Sequence, residues 1–322
     1  MSDLIQYRPF RNSDPPLLAE VWRSQLSQRG LMQPMSASLL ERLVLSKPIF
    51  DREGLIVAME EDHAVGFAHA GFGPTEDRSH ISTARGVVSM LMVRASDLSS
   101  PIASELLIAS EAYLQSHGAK TLYAGGVDCV HPFYLGLYGG SRLAGILRSD
   151  ERWQQFYLAH GYQEVSRSLV LHVDLSRFRP VIDHQQMQLR RRINLHILDD
   201  PAPRTWWEAA TFGQFTCTRF ELRFRDTGAL AASAMAWDME PLSTTWGVHA
   251  AGLVELDVTA SNRKSGVATY LLGEILRHLS SQAVALVEVQ IPSTNVAALA
   301  LFRKHGFTEV DQSIVYRKEC VK

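Results

Sequence analysis

Cysteine is scarce in this chain: Cys129, Cys217 and Cys320 are three among 322 residues, scattered and odd in number. They form neither a disulfide framework nor a closely spaced thiol pair for zinc or redox chemistry. Excess charge is also lacking. Thirty-two basic residues face 34 acidic ones, so no whole-molecule field draws the chain to nucleic acid or to an anionic membrane. No apolar run is long enough to span a bilayer. The opening MSDLIQYRPF has no basic segment leading into an apolar one, and a cytoplasmic setting is the expectation. The histidines show no HExxH or related spacing, so no metal is expected. The short run Arg190, Arg191, Arg192 lies close to Asp199 and Asp200 and reads as a solvated patch. What remains is a globular composition, 46% hydrophobic and 20% charged, with length for about two domains of roughly 150 residues. A chain of this size buries a large core without staples.

The chain repeats itself. Residues 93–103 line up with 258–268, setting Val93 on Val258, Ser96 on Ser261 and Ala103 on Ala268. Farther on, His160-Gly161 lines up with His305-Gly306, and Glu164-Val165 with Glu309-Val310. The first copy is longer between these blocks, where a glycine- and aromatic-rich stretch runs from His131 to Ser141. That stretch reads either as the wall of a pocket or as a loop packed on its own domain. Two long copies mean two similar domains, 1–176 and 191–322, joined by a polar linker at 177–190 that holds Pro180.

Apolar patterning and turn signals predict the elements. The first copy should place strands at 4–10, 54–60, 64–71, 86–93, 120–125 and 165–174, with helices at 17–28, 37–45, 102–115 and 151–160. The second should place strands at 193–198, 219–225, 230–238, 253–258, 284–291 and 313–318, with helices at 205–212, 266–279 and 297–304. Strands and helices in this order make an α+β (α/β) protein.

Chemistry concentrates after the strand at 253–258. Arg263, Lys264, Ser265, Gly266, Val267 and Ala268 form a turn that feeds a helix. Such a turn leaves backbone N–H groups unpaired at the positive end of the helix dipole, an anion site suited to pyrophosphate. Gly266 allows close backbone approach, and Arg263 and Lys264 add charge.

The pattern Arg263-x-x-Gly266-x-Ala268 resembles the acyl-CoA signature of the GNAT N-acetyltransferase superfamily. The block Asn295, Ala298, Leu301, Phe302, Gly306, Phe307 resembles that superfamily's second motif, in the right order and with a strand between the two. The resemblance covers the whole chain as a tandem pair, an architecture shared with the mycothiol synthases. It implies two domains, each a mixed, mostly antiparallel sheet flanked by helices. It also implies transfer of an acetyl group from acetyl-CoA to an amine by direct attack in a ternary complex.

On this resemblance the backbone of Leu256, Asp257 and Val258 would lie along the pantetheine arm, and an N–H near Val258 would stabilise the oxyanion. Residues Arg263 to Ala268 would hold the pyrophosphate, and Asn295 would touch the CoA arm. Glu288 would be the general base, with Glu255 on the preceding strand as its rival. A partly desolvated carboxylate there would have a raised pKa and accept a proton near neutral pH. Phe302 stands where the family usually has an acidic tyrosine; it would touch the CoA near the thiol without donating a proton.

The first copy has the opposite character. Leu98 and Pro101 replace Arg263 and Gly266, Asp150 replaces Asn295, and Tyr157 sits at the acid position. It is expected to be degenerate for CoA, with Tyr157 a packing residue. Trp206 and Trp207 would line the acceptor side or dock into the core. The implied partners are acetyl-CoA and an amine-bearing small molecule or peptide, in a monomer or homodimer. The alternative reading is an acyl-CoA-binding or regulatory protein with weak catalysis.

Overall fold

The computed structural model of the chain describes residues 5–97, 101–127, 132–142, 144–179 and 184–320. Runs of Val, Ile, Ala and Met form the first set of strands, as branched and apolar side chains suit a pleated, buried surface. Strands β1 (Gln6–Pro9), β2 (Leu55–Glu60), β3 (His63–Pro74) and β4 (Ile81–Val93) are antiparallel neighbours in that order. Helices α1 (Pro15–Arg23) and α2 (Ala37–Leu40) lie between β1 and β2 in the chain. After β4, helix α3 (Ile102–Ser116) crosses over so that β5 (Thr121–Ala124) runs parallel to β4. The short strands β6 (Gly126–Val127) and β7 (Ala144–Leu147) pair with each other, and α4 (Glu151–Ala159) leads into β8 (Gln163–Asp174).

The second half repeats this plan. After α5 (His184–Arg192), strands β9 (Ile193–Asp199), β10 (Cys217–Phe224), β11 (Leu230–Asp238) and β12 (Ala250–Val258) form an antiparallel series. Helices α6 (Trp206–Phe212) and α7 (Glu240–Trp246) lie in its connections. Helix α8 (Val267–Ser281) then crosses over to β13 (Leu286–Pro292), which is parallel to β12, and α9 (Val296–Lys304) leads into β14 (Thr308–Glu319).

The two halves exchange their last strands. β8 pairs along β13 of the second half, from Ser168 to Asp174, while β14 pairs with β5 of the first half. β8 and β14 also pair with each other, so one 14-stranded sheet runs through both copies. Three cores result. One, under α3 and α4, belongs to the first half and includes Leu106, Trp153 and Tyr157. Another, under α8 and α9, belongs to the second and includes Leu272, Ile275 and Phe302. The third lies between the halves: Leu18, Trp22, Leu40 and Tyr134 of the first pack with Met235, Trp237 and Leu242 of the second.

Two helices were not expected from the sequence. α5 occupies part of the polar stretch read as linker and buries only Gln186 among its residues, so it carries almost no apolar periodicity. α7 contains Pro241, Ser243 and two threonines, all poor helix formers. It forms because Pro241 falls in its first turn, where no N–H is required, and because Leu242 anchors it in the shared core. Leu98, Cys129 and His131 lie outside the described residues.

The shared core and exchanged strands have a testable consequence. Residues 184–322 expressed alone would expose the shared core and leave β13 without its β8 neighbour. The fragment should be aggregated or unfolded by circular dichroism and gel filtration, and it should regain structure when co-expressed with residues 1–179. A soluble, cooperatively folding fragment would contradict this.

Candidate active site

The anion turn is built as a sequence of unusual backbone angles. β12 ends at Val258, a short turn covers Ala260–Asn262, and Lys264 and Gly266 both take positive φ, 59° and 81°. Gly266 is the residue before α8, and no side chain caps that helix. Its first N–H groups therefore have no intrahelical acceptor and no side-chain one. Ser265 Oγ donates to Asn262 O (2.6 Å), which holds the turn shut from below. Arg263 and Lys264 are exposed. From α5, Gln185 Nε2 donates to Ser265 O (2.9 Å), so the extra helix brackets the turn.

Upstream, β12 and β13 part. They pair only from Ala250↔Leu286 to Leu253↔Val289, after which β13 continues along β8. On its other side β12 stays with β11, but with a bulge: Met235 faces Val254, and Ser233 faces Asp257. The extra residue includes Glu255, whose φ of 55° is left-handed. A bulge re-aims side chains and bends its strand. Here it sits where the strands separate, and among the described residues the edge of β12 facing β13 has no strand partner beyond Leu253.

Below the bulge lies a cavity of about 430 Å³ between the two halves. The second half lines it with Arg204, Glu208, Glu255 and Asp257, the first with Ser141 and Arg142. The Glu255 carboxylate accepts from Arg204 Nη2 at 2.7 Å and is 40% exposed. Glu208 is held by Arg219 Nη2 (2.6 Å) and accepts from the Arg204 backbone N–H (2.9 Å). α6 is thereby fixed at the rim. Trp207 is buried, while Trp206 is half-exposed and donates through Nε1 to the Arg78 carbonyl, across the two halves.

Glu288 has a different position from the one expected. It pairs opposite Gly252, inside the closed part of the β12–β13 ladder, and is fully buried. Oε2 accepts from His172 Nε2 (2.7 Å) and Arg29 Nη1 (3.1 Å). Oε1 accepts from the Ser141 backbone N–H (2.6 Å) and Gln290 Nε2 (3.2 Å). Burial alone would raise its pKa, but the His172 hydrogen bond, the charges of His172 and Arg29, and the Ser141 N–H together lower it to about 2. The raised pKa expected for this carboxylate is thus reversed: the surrounding donors hold it ionised. Glu288 anchors the loop 132–142, whose residues up to Ser141 are all buried. Gly140 is glycine because its φ is 114° and a Cβ there would run into the Glu288 carboxylate. The glycine- and aromatic-rich loop therefore does more than pack on its own domain. It crosses to the second half and roofs the cavity.

The remaining expected residues separate. Asn295 is the N-cap of α9, with its side-chain oxygen accepting from the Ala298 N–H (3.1 Å). Phe302 is buried in the second-half core, edge-on to Phe307 with ring centroids 5.0 Å apart. In the first half, Pro101 precedes α3 and offers no N–H. Asp150 is half-buried, bonded by Tyr138 Oη (3.0 Å) and Gln28 Nε2 (3.4 Å), and desolvation raises its pKa. Tyr157 is buried in that half's core, and burial raises its pKa as well. Sequence reasoning missed Arg29, Arg142, His172 and Arg204, and it held Ser141 only as the end of a stretch that could wall a pocket. Each acts across a large sequence separation, and only the Gly139-Gly140 pair beside Ser141 hinted at a close approach. No group of residues able to hold a metal ion occurs among the described residues, nor any helix long and apolar enough to cross a membrane.

Residues 184–307 match the Acetyltransferase (GNAT) family. No curated protein matches the chain. Among solved structures, a tandem GNAT protein from the clavulanic acid biosynthesis pathway aligns with a TM-score of 0.69 at 16% identity, covering 99% of both chains. A GCN5-related N-acetyltransferase from Sphaerobacter thermophilus aligns at 0.64 and 16%, covering 98% of this chain and 95% of that one. A GCN5-related glucosamine N-acetyltransferase region in a fungal multi-domain β-N-acetylglucosaminidase aligns at 0.75 and 13%. The chain spans 38% of that fungal protein. The whole chain has the tandem GNAT fold.

Proposed function

We propose that the chain is an N-acetyltransferase that moves an acetyl group from acetyl-CoA to an amine, with the chemistry in the second half. One observation supports this above the others. β12 parts from β13 at a bulge beside the cavity, and five residues past its end, at Arg263, begins the turn to an uncapped helix. In this reading the N–H groups of residues 264–268, with Arg263 and Lys264, take the pyrophosphate. The free edge at Leu256, Asp257 and Val258 takes the pantetheine arm, and a β12 N–H polarises the thioester oxygen. Asn295, whose oxygen is used by the cap, has its amide N–H groups left for the CoA arm.

The amine reaches the thioester from the cavity. Its ammonium form gives up a proton, the nitrogen lone pair forms the N–C bond, a second proton leaves that nitrogen for water, the C–S bond breaks, and sulfur leaves as thiolate. Glu255, the member of the glutamate pair that lines the cavity, is the proposed proton acceptor; Glu288 is the positioning group that holds the loop. No phenol stands at position 302. A thiol of pKa about 8.5 leaves as thiolate without one, and solvent then protonates it. The absence of that phenol is also what favours the second reading, an acyl-CoA-binding protein with weak catalysis.

Free thiol released from acetyl-CoA, followed with and without a panel of amines, separates the two. The enzyme reading expects amine-dependent release. Glu255→Gln should then lower kcat by about 100-fold, within the range for loss of a general base, and should remove the acidic limb of the kcat/KM profile. Unchanged rate and profile in that variant would rule Glu255 out.

A further inference from the structure

The cavity's carboxylates all come from one half, although Arg204 of that same half also lines the cavity and pairs with Glu255 (2.7 Å). Carboxylates come from the second half: Glu255 and Asp257 on the bulged end of β12, next to the proposed thioester position. On the first-half side it is lined by two guanidinium-bearing residues, Arg78 and Arg142, and one hydroxyl, Ser141. Ser141 is fully buried, and its Oγ has no hydrogen-bond partner. A buried hydroxyl without a partner is costly unless a ligand completes it. Its backbone is clamped on both sides, which fixes where the side chain leaves the chain. The N–H donates to Glu288 Oε1 (2.6 Å), and the carbonyl accepts from Trp237 Nε1 (3.2 Å). The clamp also fixes where Arg142 leaves the chain.

We infer that the acceptor is an amine that also carries a carboxylate, with its amino end at Glu255 and Asp257 and its carboxylate against Ser141, Arg142 and Arg78. This assignment rests on the acetyltransferase reading and narrows it. The amine must approach the parted end of β12, so the rest of the molecule extends toward the first half, where the donors are. A guanidinium fork and a hydroxyl match the two oxygens of a carboxylate. A dianionic phosphate carries the same sign; Glu255 and Glu208 are paired with Arg204 and Arg219, Asp257 stands with them across the space, and the phosphate arm of the test below sets the two anions against each other. The first half, with its own anion turn interrupted by Pro101, thus contributes the specificity-determining residues of the second half's site.

The test uses the full chain, acetyl-CoA and matched acceptor pairs: free α- and ω-amino acids, each beside its carboxamide, with phosphoethanolamine as the phosphate arm. At least one acid should exceed its carboxamide by tenfold or more in kcat/KM. Arg142→Gln should bring that ratio below threefold, Arg142→Lys should restore part of it, and calorimetric affinity for acetyl-CoA should stay within twofold in both. If carboxamides or phosphoethanolamine turn over as well as the acids, or if the ratio survives Arg142→Gln combined with Arg78→Gln, the acceptor assignment is wrong while the acetyltransferase reading stands. If no amine releases thiol although acetyl-CoA binds, the acetyltransferase reading fails and the acceptor assignment fails with it.

Discussion

Gly266→Glu should abolish acetyl-CoA binding, lowering affinity by roughly a hundredfold or more, about 2.8 kcal/mol at 1.4 kcal/mol per decade. Three effects combine. The residue's φ of 81° is one that a side chain adopts at a cost of about 1–2 kcal/mol. A Cβ there would meet the end of Gln185, which is flexible and can swing away. The new carboxylate would then stand at the helix N-terminus where the pyrophosphate is proposed to lie, contributing the like charge that the dipole otherwise attracts in the ligand. Gly266→Ala separates these effects: it carries the strain without the charge and should weaken binding far less. Calorimetry on both variants measures this, and equal losses would mean that backbone strain alone is responsible.

Removing the Glu288 carboxylate should have the largest effect on stability. Glu288→Leu leaves the Arg29 guanidinium, His172 Nε2 and the Ser141 N–H facing an apolar side chain. Breaking a buried ion pair from one side costs about 3–5 kcal/mol, and urea unfolding should show a loss of that size. Glu288→Gln, which keeps the shape, should cost less. The pH dependence has a definite sign. The folded pKa, about 2, lies below the unfolded value near 4.5. The carboxylate's contribution is therefore fully present above about pH 4.5 and disappears as pH falls toward 2. The stability gap between the wild type and Glu288→Gln should be widest near neutral pH and close as pH falls to about 2. A gap independent of pH would mean that Glu288 acts by shape alone.

The sequence made the local chemistry of the second half legible because each part is a short-range signal. A glycine after a basic turn marked the start of α8, whereas Asn295 was read only as a CoA contact and its capping of α9 came from the structure. Most elements fell near their expected ranges for the same reason. β12, expected over 253–258, begins three residues earlier, and α1, expected to reach residue 28, stops at Arg23. What stayed hidden is long-range. The apolar alternation of β8 and β14 reads the same whichever sheet receives them, so their exchange left no trace in the pattern. Glu288 looked like a half-buried strand glutamate because its partners Arg29, His172 and Ser141 come from the other copy. The cavity was hidden too, since Arg78, Ser141 and Arg142 on one side and Arg204, Glu208, Glu255 and Asp257 on the other lie in different halves and meet only when the shared core forms. The bulge at Glu255 is set by pairing with β11, and no glycine marks its positive φ.

A structure of the protein with acetyl-CoA bound tests the central claim most directly. The account predicts one CoA per chain, its pyrophosphate against residues 264–268 and its thioester between the parted ends of β12 and β13, opening on the cavity beside Glu255. CoA lying instead between β4 and β5 of the first half, or in both halves alike, would contradict it.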